Sequence, residues 1–345
     1  MEQLTPQWFP EALAALAEGR ELSDLQVRAI MQDLVAGRCG DVEAAALLVA
    51  LRVRGETAAE LAAAAAVLRE HMVRFEPGRP DVLDTCGTGG DETATFNIST
   101  ATALVAAAAG VPVVKHGNRA VSSRSGSADV LAALGVAVQD DLAWPRRCLE
   151  QAGLAFCFAP HFHPALRHVA PVRRRLRIRT LFNCLGPLAN PAGAAYQLLG
   201  VGRPELLDPM AGALARLGTR RAFLVCGQDG LDEVSLAGVT LVREVCGRRV
   251  SSREWTPSDF GLDPCALADL TVSGPGESAA VIRGILDGSD GPAGRVVRAN
   301  AAAALLAAER VGTLAEGVAS AAEAIHSGRA RHVLEVLRGC SRGGA

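Results

Sequence analysis

Aromatic side chains make up only 4% of the 345 residues, with a single tyrosine at Tyr196, which argues against a binding surface built from stacked rings. Lysine is scarcer still: Lys115 is the only one, and every other Lys/Arg position is arginine. An excess of one charge is also missing. Lys+Arg number 35 against 37 Asp+Glu, a net charge of −2, so the basic footprint of a nucleic-acid binder is absent. No two of the nine cysteines make a CxxC pair. They stand singly at 39, 86, 148, 157, 184, 226, 246, 265 and 340, as reduced thiols of a cytoplasmic protein would. No Lys or Arg precedes Arg20, so no secretory or mitochondrial signal is expected. The longest uncharged stretch, Thr93 to Val114, carries Asn97, Ser99, Thr100, Thr102 and a Gly110/Pro112 break, which makes it a poor membrane span.

What is present is apolar surface for a large aliphatic, alanine-rich core: 49% hydrophobic against 21% charged residues. At roughly 100 to 200 residues per domain, two domains or one elaborated domain are expected. Ser23-Asp24-Leu25-Gln26 and Thr57-Ala58-Ala59-Glu60 match capping boxes, and Val27, Ile30, Met31 and Leu34 recur at helical spacing, so the chain opens as a small all-helical unit. From Pro80, short apolar runs alternate with alanine-rich helical segments: Val82-Leu83, Val111 to Val114, Gly135 to Val138, Leu154 to Phe158 and Ala222 to Val225. That pattern predicts an α/β domain with a mostly parallel sheet. Leu241 to Val250 reads as a hairpin and Glu277 to Leu337 as helical, with Ser341 to Ala345 frayed. The basic, proline-flanked stretch 171–191 suggests a return to the helical unit. The resulting division is 1–76 plus about 168–192 for the helical domain, and 77–167 plus 193–345 for the α/β domain.

Three loops carry chemistry. The first, Asp84 to Thr100, sets Gly87, Gly89 and Gly90 between a strand and a helix, leaving amides uncovered for a phosphate or diphosphate, with hydroxyls at Thr95, Ser99 and Thr100. An ordinary glycine turn is the alternative, and neither a P-loop nor a dinucleotide fingerprint is present. The second, Lys115 to Asp129, places the lone lysine and a Gly/Ser-rich segment at the next strand end, where ligands of parallel sheets bind. In the third, Gly227 to Glu233, the adjacent carboxylates Asp232 and Glu233 suit Mg2+ carried by a diphosphate, although an acidic turn would look the same. Arg173, Arg174, Arg175, Arg177 and Arg179 form a cationic run that could equally be a solvated helix face. His161-Phe162-His163 lacks the neighbours of a zinc site, and no Gly-x-Ser-x-Gly elbow occurs.

Taken together, Cys86 to Thr100, Lys115 to Val130, His163 to Arg173, Arg179 to Pro191 and Asp229 to Glu233 resemble the anthranilate phosphoribosyltransferase family of tryptophan biosynthesis, in that family's order. The resemblance implies a glycosyltransferase that moves the phosphoribosyl group of phosphoribosyl diphosphate (PRPP) onto the amine of anthranilate with Mg2+. By motif position, Gly87, Gly90, Asp91, Thr95, Asn97, Ile98, Ser99, Thr100, Lys115, His116, Gly117, Asn118, Arg119, Ala120, Val121, Ser122, Ser123 and Ser127 would hold PRPP. Gly87, Asn118 and Arg173 would meet anthranilate, and Ser99, Asp232 and Glu233 would sit at the metal. No general base is assigned. A small helical domain, a large α/β domain and a homodimer joined through the helical parts are implied, with no nucleic-acid or membrane partner.

Two departures stand out. Arg177 occupies a position where the family commonly has glycine, and Ser273 to Ala279 replaces a pattern that usually carries Gly-Gly-Asp and an Asn-Ala pair. Two other readings remain open at this level: a pyrimidine nucleoside phosphorylase of the same fold, and a non-catalytic relative that binds nucleic acid through the arginine run. The Lys115-His116-Gly117-Asn118 string favours the transferase over the first, and the net charge and the Asp232-Glu233 pair weigh against the second.

Overall fold

The computed structural model describes residues 6–90, 93–119, 125–138 and 141–342. Helices α1 (Phe9–Ala17), α2 (Asp24–Ala36), α3 (Asp41–Arg54) and α4 (Ala58–Glu70) form the opening unit. Both capping boxes are made: Ser23 Oγ accepts from Gln26 N, and Thr57 Oγ1 from Glu60 N, while the N3 side chains reach back to the cap amides. Glu60 does more than cap. It is buried, accepts from Leu22 N at 2.9 Å and pairs with Arg54, so the start of α4 also fixes the chain ahead of α2.

Strands and helices then alternate: β1 (Leu83–Gly87), α5 (Ile98–Ala108), β2 (Val113–Gly117), α6 (Ser127–Ala133), α7 (Trp144–Ala152), β3 (Leu154–Phe158), α8 (Ala159–Phe162), α9 (Ala170–Leu176), α10 (Leu181–Leu188), β4 (Tyr196–Gly200), α11 (Leu207–Arg216) and β5 (Arg221–Gly227). The hairpin β6 (Thr240–Cys246) and β7 (Arg249–Trp255) follows, then α12 (Pro275–Leu286), α13 (Pro292–Ala307), α14 (Leu314–His326) and α15 (Arg329–Arg342). The sheet has seven strands in the order β3-β2-β1-β4-β5-β6-β7, parallel from β3 through β5 and antiparallel across the hairpin.

Side chains alternate across the strands, so each face buries its own set. Leu83, Val113, Phe156, Leu198 and Phe223 pack with α5, α7 and α13, whereas Cys86, Leu199, Leu224 and Cys226 join the core containing Leu47, Leu61, Leu185 and Met210. That second core contains residues of α1 to α4 together with Val172 of α9 and Leu181, Phe182 and Leu185 of α10.

Four expectations need correction. Gly135 to Val138 is no strand: Gly135 takes φ +87°, its N–H donates to Ala132 O and Val136 N–H to Leu131 O, which is the Schellman end of α6, and the buried valine mimics a strand residue. The central strand β4 went unread because Gln197 interrupts its apolar run, yet Gln197 is buried and donates to Pro187 O at 2.8 Å. Lys115 does not follow the end of its strand; it lies in the middle of β2, 3% exposed. Helix α15 continues through Ser341, whose hydroxyl donates to Arg338 O, and 343–345 lie outside the described residues.

Candidate active site

Strand order reverses at β1, with β2 on one side and β4 on the other, and ligands of open α/β sheets sit in the crevice at such a switch point. The two strands end in paired glycines, Gly87 opposite Gly200. A Cβ on Gly200 would stand 1.6 Å from Asp232 O, and one on Gly87 2.9 Å from Asp232 Oδ2, so only glycines let the acidic loop approach. Gly89 and Gly90 follow at φ +64° and +77°, a conformation other residues adopt with difficulty. The loop is held at several points: Thr88 N donates to Gly200 O at 2.9 Å, Gly89 N to Asp232 Oδ2 at 3.1 Å, and Arg179 Nη2 to Thr88 O at 2.9 Å. Arg179 also fills the space over Gly90, where a Cβ would meet Nη1 at 1.7 Å. Asp91 lies outside the described residues.

Asn97 caps α5, its Oδ1 accepting from Thr100 N at 3.0 Å and from Ser99 Oγ at 3.4 Å. Thr95 bridges to Thr271, and the hydroxyl of Ser278 on α12 accepts from Asn97 N at 2.9 Å. The altered 273–279 segment therefore leads into α12 from Pro275, and its Ser278 supports the cap. Ile98 points into the core and its amide is taken by Phe96 O, while Thr100 is buried directly behind the cap. Lys115 Nζ donates to Thr85 O and, at 2.9 Å, to Ser99 Oγ. Burial lowers the lysine's pKa, and the carboxylates of Asp84, Glu233 and Asp232 with the Cys86 thiol oppose that shift, which puts the ammonium and the acidic pair in one electrostatic neighbourhood.

The second loop continues from β2. His116 packs its ring on His163 at 4.9 Å and sets Nδ1 3.3 Å from Gly186 O. Burial holds both imidazoles low, at about 3 for His116 and about 4 for His163, so both are neutral near pH 7. Gly117 leaves room for Ser127, whose Oγ would lie 2.1 Å from an added Cβ. Ser127 Oγ and Ala128 N both donate to Asn118 O, closing the loop onto α6, and Arg119 stands 3.5 Å from Asp129. Ala120, Val121, Ser122 and Ser123 lie outside the described residues.

In the third loop Asp229 is used locally, accepting from Ser235 Oγ at 2.7 Å and from Leu231 N at 3.2 Å. Asp232 faces the glycine loop, and Glu233 is 9% exposed. With Ser99 the donor set is oxygen only, as a hard cation prefers. No cluster of three metal-ligating His, Cys, Asp or Glu occurs among the described residues. A few carboxylates without a closed cage fit Mg2+, which keeps waters and substrate oxygens in its shell.

The arginine run divides. Arg174 and Arg177 are exposed and Arg175 pairs with Asp41 at 3.2 Å, whereas Arg173 is half-buried with its guanidinium over Phe182 at 5.4 Å. Burial lowers the pKa of Arg173, and no carboxylate faces it among the described residues. The extra arginine at 177 ends α9 at φ +53°, keeping the left-handed backbone that a glycine would take and turning its charge outward. Gly200, Arg179 and Ser278 were missed as site residues. Gly200 ends the Leu198-Leu199 pair, and Arg179 precedes the Thr180/Asn183 capping box, so both left a trace; Ser278 lies in the altered 273–279 segment, but nothing there announced its contact with Asn97 N.

Residues 79–331 match the glycosyl transferase family, a/b domain, and residues 10–72 its helical bundle domain. The chain is 47% identical over 326 residues to an anthranilate phosphoribosyltransferase of Symbiobacterium thermophilum, covering 94% of this chain and 96% of the relative. It is 48% identical to one of Methanosphaerula palustris, covering 96% and 98%. Among solved structures, the Thermus thermophilus enzyme superposes with a TM-score of 0.90 at 46% identity, over 96% of this chain and 99% of that one. The Saccharomyces cerevisiae enzyme in complex with PRPP and Mg gives 0.88 at 30% identity, over 97% and 98%. With identity and coverage at this level, and with the glycine loop, the buried lysine and the acidic pair assembled at one switch point, the chain belongs to the anthranilate phosphoribosyltransferase family.

Proposed function

We propose that the protein transfers the phosphoribosyl group of PRPP to the amine of anthranilate, giving N-(5-phosphoribosyl)anthranilate and diphosphate, a step of tryptophan biosynthesis. The observation that carries this reading is the convergence of Gly89 N, Lys115 and Asp232-Glu233 at the β1/β4 crevice. Thr88 N and Gly89 N are engaged by Gly200 O and Asp232 Oδ2, so the phosphate donors proposed are the main chain at Gly90, at Ser99 in the first turn of α5 and at Asn118 past β2. Ser127 and Thr95 hold those segments in place.

Breaking the bond between ribose C1 and diphosphate leaves positive charge on the sugar and negative charge on the leaving group. Lys115 and the loop donors stabilise the leaving group because they are already oriented before the substrate binds, the lysine being buried. Bound Mg2+ neutralises diphosphate oxygens, and Ser99, Asp232 and Glu233 are the residues that would hold it. Arg173 fixes the anthranilate carboxylate and, with Gly87 and Asn118, sets the amine behind C1. For a neutral arylamine this positioning counts for more than a strong base.

We further assign residues 1–76 with about 168–192 to the helical domain, supported by the packing of α9 on α3 and of α10 on α3 and α4, and the rest to the α/β domain. A homodimer through the helical domain is supported by exposed Val42 and Val53 on α3, and by an apolar groove of about 600 Å³ between α1 and α3, lined by Leu16, Ala45, Val49 and Val53. A cytoplasmic location fits nine free cysteines, and among the described residues no helix is long and apolar enough to cross a membrane. Nucleic-acid binding is disfavoured because the arginine run is split between paired, tucked and exposed members.

The test is anthranilate fluorescence on mixing with PRPP and Mg2+. Folded protein that consumes no anthranilate overturns the reading, and affinity for nucleic acid falling steeply with salt would support the alternative.

A further inference from the structure

Asp84, a charged side chain of β1, is not used in the reaction above. It is 0% exposed, in a strand whose Leu83, Thr85 and Cys86 are buried as well. Keeping a carboxylate there is unfavourable unless its oxygens are used. Burial pushes its pKa above the ordinary carboxyl range, with Asn190, Lys115 and the His116 main chain pulling the other way.

Asp84 Oδ2 has no hydrogen-bond partner among the described residues, and the use of Oδ1 lies between β1 and β2. These strands share the single register pair Leu83–Val113, whereas β1 with β4 and β2 with β3 each run through five. Beyond that pair, side chains tie the strands together: Asp84 Oδ1 accepts from His116 N at 3.2 Å, and Lys115 Nζ donates to Thr85 O. Each strand lends a side chain to the other's main chain, just where both run out into the phosphate loops.

We propose that Asp84 is a positioning residue of the phosphate site: by holding His116 N it sets β2 against β1, and so places Lys115 Nζ at Ser99 Oγ and the 116–119 main chain at the ligand. Fully buried, it acts through these groups and does not touch the ligand. This rests on the PRPP reading of the site.

The test is a titration of Asp84→Ala and the parent with PRPP and Mg2+, with anthranilate KM measured at saturating PRPP and Tm recorded for both. Removing the acceptor strands a buried N–H, so PRPP Kd should rise about ten- to hundredfold. Anthranilate KM should stay within about twofold, because the Arg173 side keeps its own supports. Asp84→Asn retains an acceptor oxygen but no charge, and should lose only about threefold to tenfold; it decides the matter if the alanine variant does not fold. In a Lys115→Met background the Asp84 change should add little, since the two act as one unit. A folded Asp84 variant with parental PRPP Kd and a lower Tm would reduce the residue to a stability role. Equal losses for both substrates, or full additivity with Lys115→Met, would also overturn the inference. A parent that binds no PRPP would bring down the site reading itself, an outcome that its own titration reports separately.

Discussion

On the proposed diphosphate side of the crevice the groups are a glycine-rich main chain and one buried lysine, with the loop held by Gly200, Asp232 and Arg179, each more than eighty positions away in the chain. On the proposed anthranilate side the charged contact rests on one half-buried side chain, Arg173, which lies over Phe182 in the last turn of a seven-residue helix. The first arrangement is rigid because each contact constrains the others, and a small displacement moves several donors together. The second is modular: one group can be removed with little consequence for its neighbours. Damage on the diphosphate side should therefore disturb several phosphate contacts and the fold together, whereas damage on the anthranilate side should remove one contact and leave the fold alone.

The largest effect is expected at Gly200→Ala. The new methyl would overlap the Asp232 carbonyl, so the acidic loop and the end of β4 must separate. A misplacement of that size lowers kcat/KM about 100-fold or more, and Tm should fall too. A near-normal rate in Gly200→Ala would show that the loop is not tightly coupled to β4. Next is the paired change Asp232→Asn with Glu233→Gln, which keeps size but removes two charges. Mg2+ affinity in the presence of PRPP should fall about 10- to 100-fold, and an unchanged metal dependence of the rate would leave the pair as an acidic turn.

Arg173→Ala tests the other side. A charge-assisted hydrogen bond contributes about 1.5 to 3 kcal/mol, so kcat/KM for anthranilate should drop roughly 10- to 150-fold while PRPP Kd stays put. Exposed Arg174→Ala is the control and should do far less. Equal small effects from the two would mean that the run is only surface charge.

A pH series reaches the two packed imidazoles, His116 and His163. His116 and His163 titrate at about 3 and about 4 when folded, against 6.5 ordinarily. Below 6.5 the unfolded chain binds protons that the folded chain refuses, so stability present above that pH is lost as pH falls toward 4. Tm should decline over that window, less steeply in His163→Asn; identical slopes would assign the acid sensitivity elsewhere. The smallest effect is a gain. Arg177→Gly relieves a left-handed arginine and should stabilise by about 1 kcal/mol, a rise of roughly 2 °C in Tm, with kinetics untouched. A lower Tm would mean that the arginine side chain contributes contacts that outweigh its backbone strain.

Local chemistry was readable from the chain alone. The capping boxes at Ser23 and Thr57, the run Leu154 to Phe158 as β3, the glycine loop at a strand-to-helix turn and the lone lysine at the next strand all follow from residue type and short spacing, because caps, turns and side-chain alternation act over a few residues. Resemblance added the substrate assignments of Arg173 and Asn118. Neither route could place what depends on register. Gln197 disguised the central strand, and a Schellman turn at Gly135 passed for another.

The pairing of Gly87 with Gly200 and the contact of Gly89 N with Asp232 join residues more than a hundred positions apart. So does the support of Asn97 by Ser278. The sequence by itself determined which segments could bind phosphate, metal or a carboxylate, since that is a property of the groups they carry. Only the tertiary structure decided that they face one crevice. Strand order, and the absence of a Cβ at the points of closest approach, set distances that no local pattern records.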